Sequence, residues 1–561
     1  MQESGFPKLD RRSWLKRAAT LSVAGAVPSA LNAARTEPPR KKLRGPILAS
    51  DSNAVVETVF GKVRGYTRNG IFTFKGIPYG GATGGDARFS PPSKPAPWTD
   101  VRSSMMYGSV CPQAPRLSWK KDEEAWLFSW NDGVAGEDCL RLNVWTPGIN
   151  DNRKRPVMVW LHGGGYVAGS SQELRSYDGE RLSHRGDVVV VSVNHRLGVL
   201  GFLNLAEYDA RRYADSANVG LLDLVASLEW VRDNIGNFGG NPGNVTIFGQ
   251  SGGGGKVSAL MTMPAAQGLF HRAAVQSGSL LPVATPDDSM RLAAETLNEL
   301  GLSRSQVDRL RTLPVEQLIG AGSAAMRKLL PPLNPAKVWD QIGWTPTVDG
   351  PILPGIPFDP RAPEISAHVP LMIGTTLNEF VSGIDNPDPE RLTSEELRNF
   401  ATDFGDADAI VDAYREAYPD AGNFDLLSLI AASPVRRNAV VQAHRKMALA
   451  GAPAYLYLFA WKTPVLDARP RAFHCSELAF VFDNVDRCEN MTGGVPEAHR
   501  LAPKVSDAWI NFAYAGDPNH HGLPKWPPFG ASGGSTMIFD DNCTVQQEPE
   551  HLLDLTARTL L

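Results

Sequence analysis

The chain has 561 residues, 42% of them hydrophobic and 21% charged, and a net charge of −4. That balance describes a globular protein with a large core. It offers nothing to attract nucleic acid and contains no apolar run of about 18 residues that could span a membrane. Five cysteines are too few for a disulfide scaffold, their odd number leaves at least one thiol without an intramolecular partner, and no C-x-x-C or paired His/Cys spacing marks a metal site.

Residues 1–34 read as a targeting segment. Arg11 and Arg12 precede a short, weakly apolar stretch from Ala18 to Val27, a pattern similar to a twin-arginine export signal, so a periplasmic or secreted location is expected. Residues 35–50 are basic and proline-containing and read as a linker, leaving 51–561 as a single domain. Val55 to Val63 alternates and precedes Gly65, which predicts an N-terminal hairpin turning at that glycine. Continuous apolar runs follow at Pro156–Leu161, Asp187–Val193, Val245–Phe248, Pro370–Gly374 and Ala454–Ala460. Runs of this kind, rather than alternation, predict strands buried on both faces of a mostly parallel sheet.

Between them, Leu221, Leu224, Val225, Leu228, Val231 and Ile235 recur at helical spacing and predict one apolar stripe. Gly239 to Gly243 should end that unit before the next strand. Strand and helix in alternation give an α/β fold with a right-handed arrangement. The segments Leu280–Trp344 and Glu390–Lys446 are expected to be helical insertions that cap the sheet over the active site.

One strand runs directly into G-x-S-x-G: Val245-Thr246-Ile247-Phe248-Gly249-Gln250-Ser251-Gly252-Gly253. A serine between a strand end and a helix start sits on a tight turn that pushes its hydroxyl outward, so Ser251 is the candidate nucleophile. A second match, Gly530 to Gly534 around Ser532, has no strand before it and reads as a surface loop. A serine hydroxyl needs a base, and the base an acid to orient it, in the chain order Ser, acid, His. Glu379 lies just past the Pro370 strand. Of the later histidines, His444 and His499 fall in helical patterns, His520 and His521 in a turn, and His551 near the C-terminus. His474 alone follows the Ala454 strand in a loop. Gly163-Gly164-Gly165 follows the Pro156 strand, so the amides of Gly164 and Gly165, with that of Gly252, are the candidate oxyanion donors.

With these residues in place, the chain resembles the type B carboxylesterase family of the α/β-hydrolase superfamily, which includes the cholinesterases. The resemblance is carried by Phe74–Tyr79, Glu137–Val144, Asn218–Asp223, Asn234–Pro242, Leu269–Ala273 with Gln276–Gly278, and Asn511–Ala513 with Gly516–Asn519. It implies an α/β-hydrolase fold, a Ser251–Glu379–His474 triad, the donors named above, no cofactor or metal, and a disulfide between Cys111 and Cys139 around a loop near the active-site entrance. Trp119, Trp126, Phe128 and Trp130 on that loop either wall an apolar pocket or only pack the loop down. Ser277 is either a partner of the triad or a buried serine of no catalytic use.

Three positions depart from the family pattern. Gln250 stands where a glutamate is common, Gly252 where alanine is, and Phe380 where glycine is. The first removes a negative charge beside the site and argues against a preference for cationic substrates. The expected activity is hydrolysis of small-molecule carboxylic esters. Amides, carbamates or lactones on the same machinery are the alternative, and a non-catalytic binding protein of this fold is a further one.

Overall fold

The computed structural model describes residues 45–115, 121–329, 343–530, 534–547 and 553–554. The expected signal segment, the first part of the linker, Trp119 and Ser532 lie outside the described residues. The last linker residues are joined to the fold, since Leu48 pairs with Thr67 through two main-chain hydrogen bonds.

Fourteen strands are present among the described residues. They are β1 (Val55–Thr58), β2 (Gly61–Arg64), β3 (Tyr66–Arg68), β4 (Ile71–Pro78), β5 (Arg102–Ser103), β6 (Arg141–Thr146) and β7 (Arg155–Leu161). They continue with β8 (Val189–Val193), β9 (Gly240–Gln250), β10 (Arg272–Gln276), β11 (Leu371–Thr376), β12 (Ala454–Phe459), β13 (Ser535–Phe539) and β14 (Thr544–Gln547). β1, β2 and β5 form a small sheet of their own. The N-terminal hairpin turns at Val59 and Phe60, not at Gly65, where the Thr58 hydroxyl donates to the Gly61 carbonyl across the reversal at 2.7 Å.

The main sheet has eleven strands in the order β14-β13-β12-β11-β10-β9-β7-β8-β6-β4-β3. From β13 to β8 every pairing is parallel, while β14 at one edge and β6, β4 and β3 at the other are antiparallel. Every residue of β7 and β8 is buried, which is why those segments read as unbroken apolar runs. β9 begins at Gly240, earlier than its apolar stretch, and a register shift against β7 between Arg155 and Val157 takes up the extra residues.

The helix Val219–Asn234 buries more than one stripe, because Asp223, Ser227 and Trp230 are buried along with the leucines and valines. Asp223 holds the buried Arg196 guanidinium through two hydrogen bonds of 2.6 and 2.8 Å, the forked geometry that suits a desolvated ion pair. In the segment expected to cap the sheet, the long helix Asn423–Ala448 packs against β11 and β12, and its buried Arg436 donates to the Tyr457 carbonyl at 2.7 Å. The helices Pro286–Glu299 and Val315–Leu329 pack on each other. The carboxyl ends of β7, β9, β11 and β12 are followed by the loops that carry the predicted chemistry, the usual location of sites in open α/β sheets.

Candidate active site

Ser251 sits between the end of β9 and the helix Gly252–Thr262, with φ 57° and ψ −127°. A non-glycine residue held in that region costs about 1–3 kcal/mol and persists only when its surroundings fix it. Here the Ser251 amide donates to the Gln276 carbonyl at 2.7 Å, and its own carbonyl accepts from the Gly254 amide at 2.8 Å. Both bonds hold the turn that projects the side chain.

Glu379 and His474 come from two loops laced together by main chain. The Asn378 amide donates to the Ala472 carbonyl at 3.1 Å, and the His474 amide to the Glu379 carbonyl at 2.8 Å. His474 Nδ1 lies 2.5 Å from Glu379 Oε2. The other oxygen of that buried carboxyl accepts from the Thr376 amide at 2.9 Å and from the Ser277 hydroxyl at 2.7 Å. Ser277 is therefore a partner of the acid, the first of the two readings its position allowed.

Gly164 and Gly165 take φ values of 82° and 62°, a left-handed conformation that glycine adopts without penalty. Gly252 packs directly on the Gly165 backbone, so that a β-carbon on Gly252 would run into it. The three candidate donor residues thus form one patch of main chain beside Ser251. Beneath it the buried Lys256 donates to the His162 carbonyl at 2.8 Å, just before the glycine loop, and burial brings its ammonium down to about 7.

A cavity of about 390 Å³ brings these groups together: Ser251, Glu379 and His474 line it, with Gly163, Gly164 and Gln250. Gly165 and Gly252 are not on its wall. The remaining wall is mixed, with the apolar side chains Phe128, Trp130, Leu174, Tyr177, Ile384 and Phe473 alongside the charged Lys121, Glu124, Glu173 and Asp385. Phe128 stacks on Trp130 with centroids 4.6 Å apart and meets Phe473 edge-on at 5.7 Å. Phe128 and Trp130 therefore wall the pocket, whereas Trp126 is 47% exposed on the outer face of its short helix.

Four features at this corner were not legible in the sequence. The Phe380 ring lies over the His474 imidazole with centroids 3.9 Å apart. The Gln250 amide nitrogen sits 2.9 Å from His474 Nε2, and the Cys475 thiol donates to the Gln250 carbonyl oxygen at 3.2 Å. Glu477, wholly buried, accepts from the Gln276 amide at 3.1 Å. Burial and the neighbouring Glu379 charge push its carboxyl up to about 8. The spacing His474-Cys475-Ser476-Glu477 was the one available signal for this second carboxyl. Cys111 and Cys139 are free thiols in the structure rather than a disulfide. They lie side by side in the core, and the contact with Cys111 together with burial pushes the Cys139 thiol well up.

The carboxylesterase family model matches residues 52–552. The chain belongs to the carboxylesterase family. A para-nitrobenzyl esterase of Bacillus subtilis is 35% identical over 504 residues, covering 89% of this chain and 97% of that protein. A phenmedipham hydrolase of Pseudarthrobacter oxydans is 31% identical over 529 residues, covering 90% and 99%. Among solved structures, an esterase of Clostridium hathewayi described as hydrolysing aliphatic aromatic polyesters superposes with a TM-score of 0.78 at 38% identity, covering 92% of this chain and 100% of that one. This carboxylesterase is accordingly a carboxylic ester hydrolase of the α/β-hydrolase fold. Among its described residues no helix is long and apolar enough to cross a membrane.

Proposed function

We propose that this carboxylesterase cleaves small-molecule esters by acyl transfer to Ser251, with His474 as general base and acid and Glu379 as its orienting acid. The observation that carries the reading is the 2.5 Å contact between His474 Nδ1 and Glu379 Oε2 in the cavity that Ser251 also lines. Ser251 Oγ attacks the ester carbonyl while His474 Nε2 takes its proton, and Glu379 holds the Nδ1 proton and offsets the imidazolium charge. The amides of Gly164, Gly165 and Gly252 receive the oxyanion. Collapse of the tetrahedral intermediate breaks the bond to the alcohol oxygen, which leaves with the proton from His474. Water then repeats the sequence on the acyl-enzyme and regenerates Ser251.

The aromatic wall of Phe128, Trp130 and Phe473 supports an apolar acyl or alcohol group. The same reading includes export through the 1–34 segment and, in an oxidising compartment, a bridge between Cys111 and Cys139. An organophosphate that labels Ser251 stoichiometrically and abolishes hydrolysis of an aryl ester is the expected result. Undiminished turnover by Ser251→Ala would overturn the assignment.

A further inference from the structure

We propose that Lys256 is a positioning residue for the oxyanion loop, a tie from the nucleophile's helix to the main chain that leads into Gly164 and Gly165. The inference rests on the acyl-transfer reading above and concerns how the oxyanion donors are held in place. Lys256 lies in the helix Gly252–Thr262 and is 0% exposed. Burying an amine costs free energy unless a hydrogen bond offsets it. Its nitrogen donates to the His162 carbonyl at 2.8 Å and lies 6.0 Å from the centre of the Tyr166 ring. A lysine nitrogen donates whether charged or neutral, so the tie holds through a titration near about 7.

Three successive carbonyls at the start of this loop are held by donors. Lys256 takes that of His162. His162 Nδ1 lies 2.9 Å from the Gly163 carbonyl, and since a carbonyl can only accept, the ring nitrogen carries the proton there. The Gly164 carbonyl accepts from the Ala168 amide at 3.0 Å. In a planar trans peptide the N–H points opposite to the C=O. Each donor therefore turns the next residue's amide away from itself, and the amides so turned are those of Gly163, Gly164 and Gly165. His162 and Ala168 belong to the loop's own surroundings in sequence, whereas Lys256 reaches it from the helix that begins at Gly252. Gly253, in the first turn of that helix, lies so close to the Leu161 carbonyl that a β-carbon would strike it. One helix thus supplies the Gly252 donor and holds the start of the loop that supplies the other two.

A trifluoromethyl ketone shaped like an aryl ester reads the hole directly. Ser251 Oγ bonds to its carbonyl carbon, the C=O π pair moves onto the oxygen, and the hydroxyl proton passes to His474. Its affinity therefore follows the donors that face that oxygen. The matching methyl ketone fills the same cavity and stays a ketone. The comparison is made on the full chain, with competent sites counted by organophosphate titration. Lys256→Met should bind the trifluoromethyl ketone roughly tenfold to hundredfold less tightly and lose kcat/KM for the matching ester by a similar factor. Its affinity for the methyl ketone should change by less than about twofold. Lys256→Gln, uncharged and shorter, should show a split in the same direction, and it carries the test if Lys256→Met does not purify as a folded protein.

A folded variant whose trifluoromethyl ketone affinity stays within about twofold of wild type would overturn the proposal. Equal weakening of the two ketones would overturn it too, since the cavity as a whole would then have changed and not the donors alone. A wild-type enzyme that binds the two ketones equally, together with an active Ser251→Ala, would instead overturn the acyl-transfer reading itself.

Discussion

The two sides of the cavity are built differently. On the acid–base side, Glu379 and His474 are fixed by main-chain bonds between their loops, and the carboxyl is further held by Thr376 and Ser277. On the aromatic side, Phe128 and Trp130 belong to a segment that begins with the short helix Asp122–Phe128. Polar links tie that helix to the body: Arg469 to Glu123 at 3.0 Å, Glu123 to the Asp385 amide at 2.8 Å, and Asn490 to the Trp126 carbonyl at 2.7 Å. Buried and backbone-anchored bonds set the geometry that bond-breaking demands, whereas a surface-tied loop sets what fits. The first should tolerate little change, and the second should trade one substrate for another.

That contrast can be broken at several points. Ser251→Ala should lower kcat by on the order of 10⁴-fold or more, and Glu379→Gln by roughly 10³-fold or more with KM little changed, both read by steady-state kinetics on one aryl ester. A Glu379→Gln enzyme within tenfold of wild type would remove the acid from the mechanism. Ser277→Ala withdraws one donor from the Glu379 carboxyl and should cost roughly tenfold in kcat. If it changes nothing, the hydroxyl only fills space.

On the other side, Trp130→Ala should raise KM for aryl esters roughly threefold to tenfold while leaving kcat nearly alone. A fall in kcat of the size seen for Ser277→Ala would mean that the wall also orients the carbonyl. Arg469→Gln should reproduce a smaller part of the same KM effect by loosening the helix that carries Phe128.

Glu477 sharpens the comparison by a different measurement. Its folded carboxyl titrates near 8 against an ordinary value of 4.5, so the folded protein holds a proton there that the unfolded chain has released. The stability associated with that proton is fully present below about pH 4.5 and is lost progressively as the pH rises toward 8. Glu477→Gln keeps the neutral form at every pH, and its urea midpoint should fall less than that of wild type between pH 5 and 8. Parallel curves would place the Glu477 proton elsewhere.

The central sheet was readable because β7, β8, β11 and β12 are buried on both faces and leave unbroken apolar runs. The strands β4 and β6 were not singled out, because β4 mixes Thr73, Lys75 and Gly76 into its run and β6 carries Arg141 and Asn143. Asn143 is nonetheless buried, its amide bonded to Ser171 and Ser192 at 3.0 Å, so its polarity reports a tertiary partner and not a surface. The candidate nucleophile and acid were legible because each directly follows a strand, and the base because it alone among the later histidines falls in the loop after β12. The contacts of Gln250 and Phe380 with the imidazole, and of Cys475 with Gln250, were not, since they depend on how segments far apart in the chain meet.

The packing of Gly252 on Gly165 bears on how this enzyme could be reshaped. Where two peptide planes touch without intervening side chains, their separation is set by covalent geometry and by the strands that deliver them. Randomising Phe128, Trp130, Ile384 and Phe473 would therefore leave that spacing alone. Libraries aimed at new ester shapes have ample room there, while a bulkier residue at either glycine is the one kind of diversity to leave out.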